Sequence, residues 1–219
     1  MRRPGLGASP AGTGRIRGLD RPPAGRMRLR AATPDDASAI AEIYAPYVTA
    51  SVVSFETDAP DAAAMRARIE AGGTLYPWIV AEEESGAMLG YACAARFRDR
   101  PAYRFTVETT IYLRSGESGR GLGPLLYAPL IATLEAQGFT QAIAAISLPN
   151  EASVRLHERL GFSPAGTYRK VGWKLGGWHD VGLWQRALAP AATPPTEPRP
   201  ARLADVIASE AKQSSRSDS

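Results

Sequence analysis

In 219 residues the chain has one cysteine, Cys93, and two histidines, His157 and His179. A lone thiol forms no intramolecular disulfide, and three such side chains cannot build a multi-cysteine or histidine–cysteine metal centre, so no metal is expected. No run of about eighteen apolar residues occurs, which excludes a helical membrane span, and the first residues lack the apolar stretch of a secretory signal. The expected setting is the cytoplasm, with no membrane partner. Aromatic residues are few at 8%, yet 44% hydrophobic and 22% charged residues suit one medium-sized globular core.

Charge of one sign is also scarce where a fold would need it. The net charge is +4, but residues 1–26 hold six arginines against Asp20, whereas residues 27–189 carry 16 basic and 17 acidic side chains. A folded nucleic-acid binder carries its basic patch on the domain, so no nucleic-acid partner is expected. Residues 1–26, rich in Gly, Pro and Arg, cannot bury enough surface to offset ordering; they read as a disordered extension, with Met27 as an alternative start. From Ala189 a Pro/Ala/Thr linker leads into a Ser-rich end. Residues 190–219 read as a disordered tail with at most a short helix around 202–212. The domain is therefore expected over residues 27–189.

Within it, Thr33-Pro34-Asp35-Asp36 supplies a cap, a first-turn proline and acids for a helix through Ile40, Ile43 and Tyr44, which Pro46 is expected to limit. A second helix is expected over Asp61 to Ala71, stopped by Gly72-Gly73. Strands follow at Pro77 to Glu82, Met88 to Phe97 and Phe105 to Leu113. In the last, Val107, Thr109 and Ile111 alternate with Glu108, Thr110 and Tyr112, so Glu108 lies on the more polar face. Ser118-Gly119-Arg120-Gly121-Leu122-Gly123 then opens an apolar helix that Gly138 closes, with a kink expected near Tyr127 because Pro129 removes a hydrogen bond. Ala142 to Ser147 reads as a strand, Asn150 as the cap of a helix ending at Leu160-Gly161, and the Trp-rich remainder as terminal strands. The order is α/β in the α+β sense, a central twisted mixed sheet flanked by helices.

A glycine loop that opens a helix leaves unpaired N–H groups at the positive end of the dipole, a cradle for phosphate. This loop lacks the third glycine of a dinucleotide fingerprint and the Gly-Lys-Ser/Thr of a P-loop. It resembles instead the R/Q-x-x-G-x-G/A loop of the GNAT superfamily of acyl-CoA N-acyltransferases. Asn150-Glu151-Ala152-Ser153 and Leu156-His157-Glu158-Arg159-Leu160-Gly161-Phe162 are similar to that superfamily's later asparagine helix. Val107-Glu108-Thr109-Thr110-Ile111-Tyr112, Leu148-Pro149-Asn150, Val171-Gly172-Trp173-Lys174 and Gly177-Trp178-His179-Asp180-Val181 resemble the phosphinothricin N-acetyltransferase subgroup. The resemblance spans about residues 28–188. One departure lies in the loop, where Ser118 stands in place of the usual Arg or Gln.

The resemblance implies a GNAT fold, acetyl-CoA as co-substrate and a homodimer. Cofactor contacts are implied from the backbone at Ile111, Tyr112 and Leu113, from Gly119, Arg120, Gly121, Leu122 and Gly123, and from the Asn150 side chain, with Tyr127 lining the pantetheine. Asn150 has capping as its competing use. An amine must lose a proton before it attacks a thioester, and Glu108 matches the family's general base. His157 falls on the inward arc of its helix. There it protonates the departing thiolate, assists proton removal or fills the core. Arg98, Arg100 and Tyr103 match substrate-side positions, and Phe55 is expected to wall the same pocket. Guanidinium groups suit a carboxylate, so an amino acid satisfies both the arginines and Glu108. Acetylation of a peptide N-terminus or another amine, and a non-catalytic acyl-CoA sensor, are the alternatives.

Overall fold

A computed structural model describes residues 27–200 and Leu203. The arm of residues 1–26 and, apart from Leu203, the helix expected at 202–212 lie outside the described residues. The chain begins with β1 (Met27–Ala31), then α1 (Ala37–Thr49) and α2 (Ala62–Gly72), β2 (Trp78–Glu83), β3 (Met88–Arg96) and β4 (Thr106–Leu113). There follow α3 (Leu122–Gln137), β5 (Gln141–Leu148), α4 (Glu151–Arg159), β6 (Ser163–Lys174) and β7 (Gly177–Ala187). The strands form one seven-stranded sheet in the order β1-β2-β3-β4-β5-β7-β6. Every neighbouring pair is antiparallel except β4 and β5. That pair is joined by a helical crossover, α3, as a parallel connection requires.

Strand alternation sorts the core into two layers. Ile79 and Ala81 of β2, Ala92 and Ala94 of β3 and Val107 of β4 pack with Leu126, Leu130 and Leu134 of α3. Val80, Tyr91 and Cys93 face the other way, against Ile40, Tyr44 and Val48 of α1 and Met65 and Ile69 of α2. Both faces of the sheet are covered, which explains the nearly unbroken apolar runs of β2 and β3. Among the described residues no helix is long and apolar enough to cross a membrane.

One expectation about proline needs correction. Pro46 lies inside α1, which runs on to Thr49. Its missing N–H deprives only the carbonyl of Glu42, and both residues face solvent, where water replaces the lost bond while Tyr44 and Val48 stay in the core. Pro129 lies within α3, which runs from Leu122 to Gln137, and the Thr133 hydroxyl donates to its carbonyl at 2.7 Å. Beyond β7 the chain also departs from a free tail. Glu197 pairs with Arg104, the Arg199 N–H donates to the Gln137 carbonyl at 2.8 Å, and Leu203 is buried in the α3 layer.

Candidate active site

β4 and β5 pair only where Thr106, Val107 and Glu108 meet Gln141, Ala142 and Ile143, although β4 runs to Leu113 and β5 to Leu148. Beyond Glu108 the two strands part. The Arg114 N–H donates to the Leu89 carbonyl at 2.8 Å, so even-numbered peptide groups of β4 turn to β3. Those of Ile111 and Leu113 therefore face the gap. The Leu113 carbonyl accepts from the Tyr47 hydroxyl at 2.7 Å; the other groups there are open to an extended ligand carrying amides.

At the wide end of the gap the chain turns into α3. Gly119 and Gly121 have φ of +81° and +79°, a left-handed conformation costly for residues with a Cβ, and nothing lies within 4 Å of where a Cβ would be. Gly121 is the N-cap of α3 and offers no capping side chain. The first-turn N–H groups therefore open onto free space, as an anion site needs. Gly123 serves packing, since a Cβ there would stand 3.2 Å from the Leu156 side chain of α4. Leu122 is buried in the core, so only its backbone is available, and Arg120 is tied to Glu117 at 2.5 Å.

Asn150 caps α4: its Oδ1 accepts from the Ser153 N–H at 3.1 Å, leaving its two amide hydrogens free. Both uses expected of this side chain are thus compatible.

Glu108 stands where the strands separate, on the face that carries Thr110 and Tyr112. It makes no hydrogen bond among the described residues. Burial raises its pKa above the ordinary carboxylate value, and the nearby Arg98 guanidinium partly opposes that rise. Arg98 lies 4.8 Å from the centroid of the Phe97 ring, which Tyr103 meets edge-on. Arg98 and Arg100 have no carboxylate partner within 4 Å among the described residues. Phe55 lies over Gly172 of β6 and near the His179 ring.

Tyr127 lies elsewhere than expected, while His157 takes the inward place that its helix face gives it. Tyr127 is 0% exposed, so it lines no channel; its hydroxyl meets Thr109 Oγ1 at 2.6 Å and His157 Nε2 at 3.1 Å. His157 Nδ1 is 2.8 Å from the Ser153 carbonyl. A carbonyl only accepts, so Nδ1 carries the proton and Nε2 accepts from Tyr127. Both ring nitrogens are occupied, burial lowers the imidazole pKa, and the partner Thr109 is on the sheet face opposite Glu108. A proton-transfer role at Glu108 does not fit that placement. The apolar periphery of α3 gave no clue to which side met the gap, because that helix is apolar nearly all round.

A cavity that no motif announced lies on the Glu108 face, lined by residues of α1, α2, β2, β3 and β4, including Tyr44, Glu56, Arg68, Tyr91 and Thr110. These positions are scattered through the sequence, and only the folded sheet brings them together. Among the described residues no three His, Cys, Asp or Glu side chains are grouped to hold a metal.

A glycine-cradled helix start beside a splayed parallel strand pair marks an acyl-CoA-type site, and the chain matches the acetyltransferase (GNAT) domain family over residues 29–183. It belongs to that family. It is 43% identical over 176 residues to a phosphinothricin N-acetyltransferase of Streptomyces viridochromogenes, covering 80% of this chain and 93% of the relative. An L-methionine sulfoximine/L-methionine sulfone acetyltransferase of Salmonella typhimurium is 35% identical, with 77% and 98% of the two chains covered. The crystal structure of a phosphinothricin acetyltransferase from Sinorhizobium meliloti in complex with acetyl-CoA superposes with a TM-score of 0.73 at 40% identity, covering 79% of this chain and 93% of that one.

Proposed function

We propose that this protein transfers the acetyl group of acetyl-CoA to the α-amine of a small amino acid or analogue of the phosphinothricin or methionine sulfone kind. The observation that carries this reading is Glu108, a half-buried carboxylate without a hydrogen-bond partner, standing at the apex of the β4–β5 gap with Arg98 beside it. The pantetheine amides pair with the peptide groups of Ile111 and Leu113 and with the free amide of Asn150. The pyrophosphate rests on the N–H groups from Gly119 to Gly123.

Arg98 and Arg100 take the acceptor carboxylate, Tyr103 and Phe55 flank it, and its amine is directed to Glu108. The carboxylate accepts the amine's proton as nitrogen attacks the thioester carbonyl; the C–N bond forms, the C–S bond breaks, and coenzyme A leaves as thiolate. His157 acts as a buried prop through Tyr127 and Thr109, not as an acid or base.

The β6–β7 hairpin supports a homodimer. β6 is an edge strand, and Trp173 and Trp178, exposed by 59% and 58%, stack edge-to-face beside exposed Tyr168, Val171 and Leu175. Sedimentation of the wild type as a dimer and of Trp178→Glu as a monomer is the expected result; a monomeric wild type removes the assignment. The activity is tested by thiol release from acetyl-CoA with phosphinothricin, methionine sulfone, ordinary amino acids, polyamines and a peptide. Turnover confined to α-amino acids and their analogues is expected. Preference for the peptide or polyamine overturns the acceptor, and absence of all turnover overturns the enzyme.

A further inference from the structure

The segment that carries Arg98, Arg100 and Tyr103 lies outside the sheet, between the end of β3 at Arg96 and the start of β4 at Thr106. Its one regular piece is a single turn, Pro101–Tyr103. The Tyr103 N–H donates to the Arg100 carbonyl at 3.0 Å, and the Arg104 N–H to the Pro101 carbonyl at 3.1 Å. Residues 101–104 are all exposed, so these two bonds alone hold the turn weakly. Rings link the turn to its neighbours: Tyr103 meets Phe97 edge-on at 5.7 Å, and the Arg98 guanidinium lies 4.8 Å from the centroid of that same Phe97 ring.

The turn is also held from the far end of the chain. The Arg104 guanidinium lies 4.3 Å from the centroid of the Phe105 ring, and its Nη1 donates to the Pro101 carbonyl at 3.2 Å, which closes the turn through a side chain. Its remaining donors face Glu197. Nε donates to the two carboxylate oxygens at 2.9 and 3.0 Å, and Nη2 to one of them at 2.7 Å. The guanidinium holds the Glu197 carboxyl below its ordinary pKa, so the pair stays ionised at neutral pH.

Glu197 is anchored on both sides. The Arg199 N–H donates to the Gln137 carbonyl at the C-terminal end of α3, and Leu203 is buried in the α3 layer. Before it, the Leu188 N–H donates to the Thr140 carbonyl, and Thr140 donates from its N–H and its hydroxyl to the Phe105 carbonyl at 2.9 and 3.1 Å. An exposed ion pair between two freely moving side chains stabilises little, because ordering both offsets the attraction. Here the backbone on each side is already fixed, and the forked geometry sets one orientation of the guanidinium. Glu197 lies beyond residue 183, where the match to the acetyltransferase family ends, so none of the family's motifs announces it.

We propose that Glu197 is a positioning residue for the acceptor. By orienting Arg104 it holds the Pro101–Tyr103 turn and, through the Tyr103 and Phe97 rings, the Arg98 guanidinium beside Glu108. The proposal rests on the reading of Arg98 and Arg100 as the site of the acceptor's carboxylate. The strap from Leu188 to Leu203 thus serves acceptor binding without touching the acceptor. Its contacts with α3 are at the end opposite the glycine cradle, so coenzyme A is outside its reach.

The test joins two measurements on the full chain: steady-state thiol release with methionine sulfone and phosphinothricin, and amide exchange read by mass spectrometry. Glu197→Gln keeps the shape of the side chain and removes its charge. Expected are a rise in acceptor KM of about three- to tenfold, with kcat and the KM of acetyl-CoA within about twofold of wild type. Peptides covering residues 97–105 should exchange about fivefold faster or more. Arg104→Gln, which also unties Pro101, should raise the acceptor KM at least as much, and the double variant no more than Arg104→Gln alone, because Glu197 acts through Arg104. Additive effects in the double variant, equal losses in kcat and in acetyl-CoA binding, or an acceptor KM that stays put in Glu197→Gln overturn the proposal. Unchanged exchange overturns it while leaving the acceptor reading standing, and a wild type that acetylates no amino acid overturns both.

Discussion

At the residue scale, Glu108 depends on its surroundings more than on its chemistry. A strand carboxylate in water is a weak base for an ammonium. Burial raises its proton affinity, and the guanidinium of Arg98 limits the rise so that the group still ionises. Glu108→Gln is expected to lower kcat by about 10²- to 10⁴-fold, with the Kd of acetyl-CoA from calorimetry little changed; equal losses in both would make the carboxylate structural. A base must be ionised, so kcat/KM should rise with pH through a limb above the ordinary 4.5. In Arg98→Ala that limb should move to still higher pH. His157 behaves oppositely. Burial lowers its pKa below 6.5, so the folded state binds fewer protons than the unfolded one; the stability it contributes is present above 6.5 and lost as pH falls through the folded value. Urea midpoints of the wild type should decline below pH 6.5, and those of His157→Gln should decline less.

At the scale of elements, the site is a strand pair that separates and a helix that starts on glycine. Gly121→Val forces a β-branched side chain into a left-handed conformation and fills the cradle. Its expected effect is a tenfold or greater loss of acetyl-CoA affinity, read by calorimetry. Gly172 is a second close approach: an added Cβ would stand 2.0 Å from the Phe55 ring. Lys174 binds the same loop by donating to the Ser54 carbonyl at 2.6 Å. Gly172→Ala is therefore expected to displace Phe55, at a cost of about 1–3 kcal/mol, and to raise the acceptor KM more than that of acetyl-CoA. The helix boundaries, caps and glycine stops were legible in the sequence because each is a local rule. The reach of α1 past Pro46 was not, since it depends on which face of that helix meets water.

At the scale of the whole molecule, the sheet carries two separate layers, and the segment beyond β7 closes back on one of them. Leu203 joins the α3 layer, a burial worth about 1.5–3 kcal/mol for a leucine. Leu203→Asp should lower Tm by several degrees in calorimetry, and an unchanged Tm would leave that contact without weight. What the sequence by itself determined is whatever propagates through a few neighbouring residues: the order of elements, the glycine cradle, the Asn150 cap and the strand face that holds Glu108. The resemblance carried by its motifs extended this to the class of reaction. Tertiary structure alone decided that β4 and β5 part after Glu108, that Tyr127 and His157 close on each other inside the core, and that a cavity opens beside the carboxylate. Those features depend on side chains far apart in sequence meeting across a sheet, and strand periodicity states which face a residue takes but not what will be packed against it.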